Sequence, residues 1–97
     1  MGKKEIFIVT RTLDTEYGLD VDVEPFKNRE EAEKCAETFR GEVFGEWKKE
    51  YESILETEPS FADPVVVDSD ETGDYEFHKE ESGDRCEVHI LTKEIDL

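Results

Sequence analysis

Positive charge is scarce in this 97-residue chain: 12 Lys and Arg stand against 28 Asp and Glu, a formal net charge of −16. The bases are also scattered, from Lys3 and Lys4 through Arg11, Lys27, Arg29, Lys34, Arg40, Lys48 and Lys49 to Lys79, Arg85 and Lys93. That distribution argues against direct binding to DNA, RNA or an anionic membrane, and it favours basic partners. Long apolar runs are missing too, and nothing approaches the roughly 18 residues that span a bilayer. Met1 to Thr10 lacks the layout of a secretory signal, so a cytoplasmic protein is expected. Cysteine is limited to Cys35 and Cys86, expected as two buried or half-buried thiols, with a bridge between them as the lesser alternative. There is no glycine-rich phosphate loop, no G-x-S-x-G elbow and no cofactor motif.

What is present is a foldable pattern. Ten aromatic residues and many β-branched ones separate the chain from disordered acidic polymers, and its length supports a single domain over residues 1–97. Glu5 to Arg11 contains Ile6-Phe7-Ile8-Val9, a strand apolar on both faces. Leu19 to Glu24 alternates without error, with Leu19, Val21 and Val23 on one face and Asp20, Asp22 and Glu24 on the other. The two strands should form a hairpin, with the valine face packed on a helix and the opposite sheet face largely polar.

Asn28 followed by Glu31 resembles a capping box. An apolar stripe follows through Ala32, Cys35, Ala36, Phe39 and Val43, then Phe44, Trp47, Tyr51, Ile54 and Leu55. The second group is rotated about 90° from the first at 100° per residue. Gly41 and Gly45 each cost roughly 1 kcal/mol in a helix interior. An unbroken helix here would be about 40 Å long, rather more than the width of a domain this size. A kinked helix or two consecutive helices is therefore predicted. A loop through Pro59 and Pro64 should tuck Phe61 against the core. Val65 to Val67, Tyr75 to Lys79 and Arg85 to Lys93 complete the strands. The order ββα(α)βββ gives an α+β fold: an antiparallel sheet of four or five strands with the helical segment on one face.

Candidate chemistry is sparse. Asp68, Asp70 and Thr72 stand at the first, third and fifth places of a calcium-type loop and Gly73 at the sixth, but the twelfth place is Lys79, so an acidic hairpin turn is the better reading. Cys86 and His89 lie three apart in a strand, on opposite faces, and neither cysteine belongs to a close Cys-Cys pair. This spacing favours neither a zinc site nor a thiol nucleophile, so no metal, cofactor or catalytic residue is assigned and no enzymatic activity is expected.

The acids themselves are the remaining candidates. Residues 57–97 carry 13 acids and 3 bases, net −10, against 15 and 9, net −6, in residues 1–56. Asp68, Asp70, Glu71, Asp74, Glu76, Glu80, Glu81 and Asp84 face a single base, Lys79, within one stretch. Asp20, Asp22 and Glu24 form a second row, with a repeat of about 6.6–6.8 Å, twice the strand rise. That repeat is comparable to the separation of successive phosphates on a nucleic-acid strand.

In length, charge and acid-lined strands such as Gly18 to Glu24, the chain resembles the small acidic nucleic-acid mimics of phages and mobile elements, including anti-CRISPR and anti-restriction inhibitors. The resemblance is compositional. It implies a stoichiometric inhibitor that occupies the phosphate-binding groove of a basic protein, such as a nuclease or another nucleic-acid-binding enzyme. A second reading is a structural or interaction module, with homodimerisation among its modes, whose acidity serves solubility.

Overall fold

The computed structural model describes residues 2–96. Five strands form one antiparallel sheet: β1 (Lys3–Thr15), β2 (Gly18–Phe26), β3 (Val65–Glu71), β4 (Asp74–Lys79) and β5 (Arg85–Asp96), in the spatial order β2-β1-β5-β4-β3. One helix, α1 (Arg29–Thr57), covers one face, and a short 3₁₀ turn, Pro59–Phe61, follows it. No described helix is long and apolar enough to cross a membrane.

The α+β architecture is the one expected, and of the two forms expected for the helical segment, a kinked helix or two consecutive helices, the second does not occur, since α1 is a single element. At 29 residues it is about 43 Å long. The molecule accommodates it by being elongated, 62 × 23 × 17 Å, rather than near-spherical. Asn28 caps the helix by accepting from the amides of Glu30 (2.7 Å) and Glu31 (3.4 Å). Glu30 and Glu31 also set negative charge against the positive end of the helix dipole. The rotated half of the apolar stripe still begins on the sheet, where Phe44 and Trp47 meet Phe77. Ala32, Ala36, Val43 and Trp47 are buried against the sheet, whereas the last turns meet the 3₁₀ turn. Phe61 does not join the core: it is 74% exposed.

Phe7, Val9, Tyr75, Phe77, Cys86 and Val88 form the sheet side of the core, completed by the buried helix residues. Phe77 is its centre, with Phe44 and Trp47 edge-on at 5.3 and 5.4 Å. Scarce bases lie over aromatic rings at the margin of this core: Arg11 over Phe39 (4.8 Å), Arg40 over Phe44 (4.9 Å) and Lys79 over Trp47 (5.1 Å).

The β3–β4 hairpin turns only at Thr72-Gly73, so Asp68 to Glu71 belong to a strand rather than to the turn predicted for them. Gly73 has a φ of +80°, and a Cβ there would stand 2.9 Å from the Ile90 Cδ1. The positive φ calls for glycine, and a Cβ would in addition require the Ile90 side chain to shift.

The largest departure from expectation concerns β2. Thr15 pairs with Gly18 across the Glu16-Tyr17 turn, and the register continues as Arg11 opposite Asp22, Val9 opposite Glu24 and Phe7 opposite Phe26. Asp20, Asp22 and Glu24 therefore share the helix-bearing face with Phe7 and Val9. Leu19, Val21 and Val23 point to the open face, 66%, 51% and 57% exposed. A single helix about 10 Å across cannot roof five strands spaced 4.7–4.9 Å apart, and β2, at the edge, is covered only in part, with Phe26 packed against the core while Asp20 and Glu24 stay exposed.

Candidate acidic interface

The sheet register separates the predicted acidic residues into distinct sites. β2 and β3 are opposite edges of the sheet, four strand spacings or about 19 Å apart. The row Asp20, Asp22 and Glu24 and the acids of the C-terminal hairpins consequently do not form one continuous surface.

On β2, Asp22 is tied down: Arg11 donates to it through Nε at 3.0 Å and through a second guanidinium nitrogen. The other side of the guanidinium reaches Glu42 of α1 at 3.3 Å. Burial works to lower the pKa of Arg11, but the hydrogen bond and charge of Asp22, with Glu42, outweigh it and hold the guanidinium above its ordinary value. Arg11 thus fixes a cross-strand and helix-to-sheet joint from which carboxylates project. Asp20 and Glu24 flank this joint, both exposed. Among the described residues no cation lies within 4 Å of either.

The C-terminal acids divide. A bulge between Val67 and Ser69 turns Asp68 onto the open face, where it meets His78 Nδ1 at 2.6 Å and Arg85 at 3.3 Å. Glu76 and Glu87 lie directly opposite each other on β4 and β5, an unfavourable like-charge pair. Arg85 bridges them, at 2.7 Å to Glu76 and 3.6 Å to Glu87. The hydrogen bond that Arg85 donates to Glu76, reinforced by the charges of Glu87 and Asp68, raises the pKa of Arg85. Asp74 pairs with His89, and Asp70, on the helix side, with Arg40 at 3.1 Å. Four of the eight predicted C-terminal acids are thereby engaged internally.

Glu71, Glu80, Glu81 and Asp84 have no cation within 4 Å among the described residues. The turn holding the last three is anchored by Asp63, whose carboxylate accepts from the amides of Glu81 (2.6 Å) and Ser82 (3.0 Å). Burial works to raise the pKa of Asp63, but those donors together with Lys79 prevail and hold it below the usual carboxylate value.

Asp74, Glu76 and His89 bring ligand atoms within 4.8 Å of one another, a juxtaposition absent from the linear spacing. A guanidinium already supplies the cation beside it, since Arg85 holds Glu76. Cys86 is buried on the helix side and His89 is half-buried on the open face, as strand alternation requires, and the two thiols are unbridged.

Arg11, Glu42, His78 and Arg85 are the site residues that sequence reasoning passed over, while His89, considered there only beside Cys86, is found beside Asp74 and Glu87. For the strand residues the signal was the register, which brings a base on one strand opposite an acid on the next; Glu42, on α1, is placed only by the packing of the helix on the sheet.

No family model, curated protein or solved structure matches the chain.

Proposed function

We propose that the protein is a non-enzymatic binding module that engages a basic protein through the carboxylates along β2. The observation that carries this reading is the row Asp20-Asp22-Glu24 on an edge strand, exposed at Asp20 and Glu24, half-buried and braced by Arg11 at Asp22, and extended by Glu42. Arg11 is the counter-charge of Asp22 and Glu42, which leaves Asp20 and Glu24 as the carboxylates free to meet a partner's bases. Carboxylates repeating at about 6.6–6.8 Å along a strand suit a groove built for phosphates, and the finer proposal is an inhibitor that competes with nucleic acid for a nuclease or similar enzyme. Opposite charge would speed encounter, and added salt would weaken the complex.

The deciding experiment captures basic nucleic-acid-handling proteins on the immobilised protein and challenges the complex with duplex DNA or RNA. Nucleic acid is expected to displace the partner, and the variant Asp20→Asn/Glu24→Gln, which leaves the Arg11–Asp22 joint in place, is expected to lose it. Undiminished capture by that variant would contradict the assignment to β2.

One observation favours a second reading. The exposed apolar side chains of the open face, Leu19, Val21, Val23 and Leu91, would be covered if two copies stacked sheet to sheet. Sedimentation equilibrium separates the two: a concentration-dependent dimer supports self-association, and a monomer throughout removes it.

A further inference from the structure

The two edges of the sheet are not equally finished. At β3 the strand is 7 residues long, begins just after Pro64 and is broken by the bulge between Val67 and Ser69. These features blunt an edge against further pairing. The β2 edge has none of them between Gly18 and Glu24: its register with β1 is regular, and Pro25 comes only at the far end. Since β1 lies on one side only, about half of the β2 backbone N–H and C=O groups face outward with no strand beyond them.

The side chains along this edge specify what would fit it. Leu19, Val21 and Val23 are exposed on one face, and Asp20, Asp22 and Glu24 lie on the other. Beyond them, Ile6, Pro25, Phe26 and Lys27 line an apolar hollow of about 260 Å³. An added strand would place its own alternate residues beside these, apolar next to apolar and basic next to acidic, with an end residue over the hollow.

We propose that β2 is a strand-addition site for an extended segment of a partner protein in which apolar and basic side chains alternate. Main-chain hydrogen bonds along Gly18 to Glu24 hold the segment in register. Its Lys or Arg residues meet Asp20 and Glu24, and its Val, Ile or Leu residues extend the row of Leu19, Val21 and Val23. A second copy of this chain does not fit that edge, because β2 against β2 sets three carboxylates on the same face as three more. This proposal rests on the reading of β2 as the partner surface and adds the mode of binding.

The test uses a labelled peptide of about seven residues, Lys-Val-Lys-Val-Arg-Val-Lys, the length of Gly18 to Glu24. It is compared with a block isomer of the same composition and with a form N-methylated at alternate amides. Fluorescence anisotropy is expected to show the alternating peptide binding about tenfold or more tighter than either control, and hydrogen exchange is expected to slow at β2 amides in the complex. Equal binding by all three would overturn strand addition and leave the acidic-surface reading standing, whereas protection at β3 in place of β2 would overturn both. Failure of every peptide to bind would overturn both.

Discussion

Arg11 shows how much one residue decides in a chain this short of positive charge. Its stem and guanidinium cover Phe39, and the charged end ties β2 to β1 through Asp22 and the sheet to α1 through Glu42. In the sequence it is one base among twelve, and only the pairing of Arg11 with Asp22 reveals that the acid row faces the helix side. Cys86 is the other residue whose environment makes a measurable demand. Burial pushes its thiol up to about 11 from an ordinary 9.0, with Arg11 opposing and Glu87 adding to the effect. The folded state therefore prefers the protonated thiol. Its stabilising contribution is complete below pH 9.0, where both states are protonated, and is lost as the pH rises toward about 11 and the unfolded chain ionises first. Urea unfolding across that window should show a loss on the order of 2–3 kcal/mol from this group. The variant Cys86→Ala, less stable throughout, should lack that component of the slope; an unchanged slope would show that the thiol is not so held.

At the scale of elements, strands and their alternation were legible because period-two patterning is local, whereas orientation was not. Ile6-Phe7-Ile8-Val9 is apolar on both faces, so nothing within β1 says which parity meets the helix. The two-residue turn Glu16-Tyr17 settles it: with Thr15 opposite Gly18, odd positions of β1 lie across from even positions of β2. One more residue in that turn would have put Val21 and Val23 under the helix side. The C-terminal acids were misgrouped for the same reason, since their partners His78, Arg85 and His89 come from register and not from sequence proximity.

The helix taught a different lesson. Gly41 and Gly45 were the expected point of division, yet good helix formers on either side carry α1 through both. A Cβ at either position would meet nothing within 4 Å. Gly41→Ala and Gly45→Ala should each stabilise the protein by about 0.5–1 kcal/mol, read as a shift in the urea midpoint at constant slope. Destabilisation by either change would mean that flexibility at that point is built into the native state.

For the whole molecule, the net charge of −16 understates the asymmetry of the surface. Arg11, Arg40, Lys79 and Arg85 are spent on internal ion pairs, three of them also over aromatic rings. Most of the structural cohesion supplied by positive charge is thus directed inward, while the elongated shape spreads the remaining carboxylates over a long perimeter. Such a surface repels its own kind and attracts bases from a distance of about a Debye length, roughly 8–10 Å at moderate salt.

On the proposed reading, binding resides on the β2 row and not in bulk acidity. Titration calorimetry with an alternating Lys/Val peptide tests it most directly, comparing the wild type, Asp20→Asn/Glu24→Gln and a charge-matched control, Glu52→Gln/Glu56→Gln, on α1. The expected result is that the β2 variant binds about tenfold or more weakly while the helix control keeps wild-type affinity. Equal weakening of both variants would contradict it, because binding would then follow total charge alone.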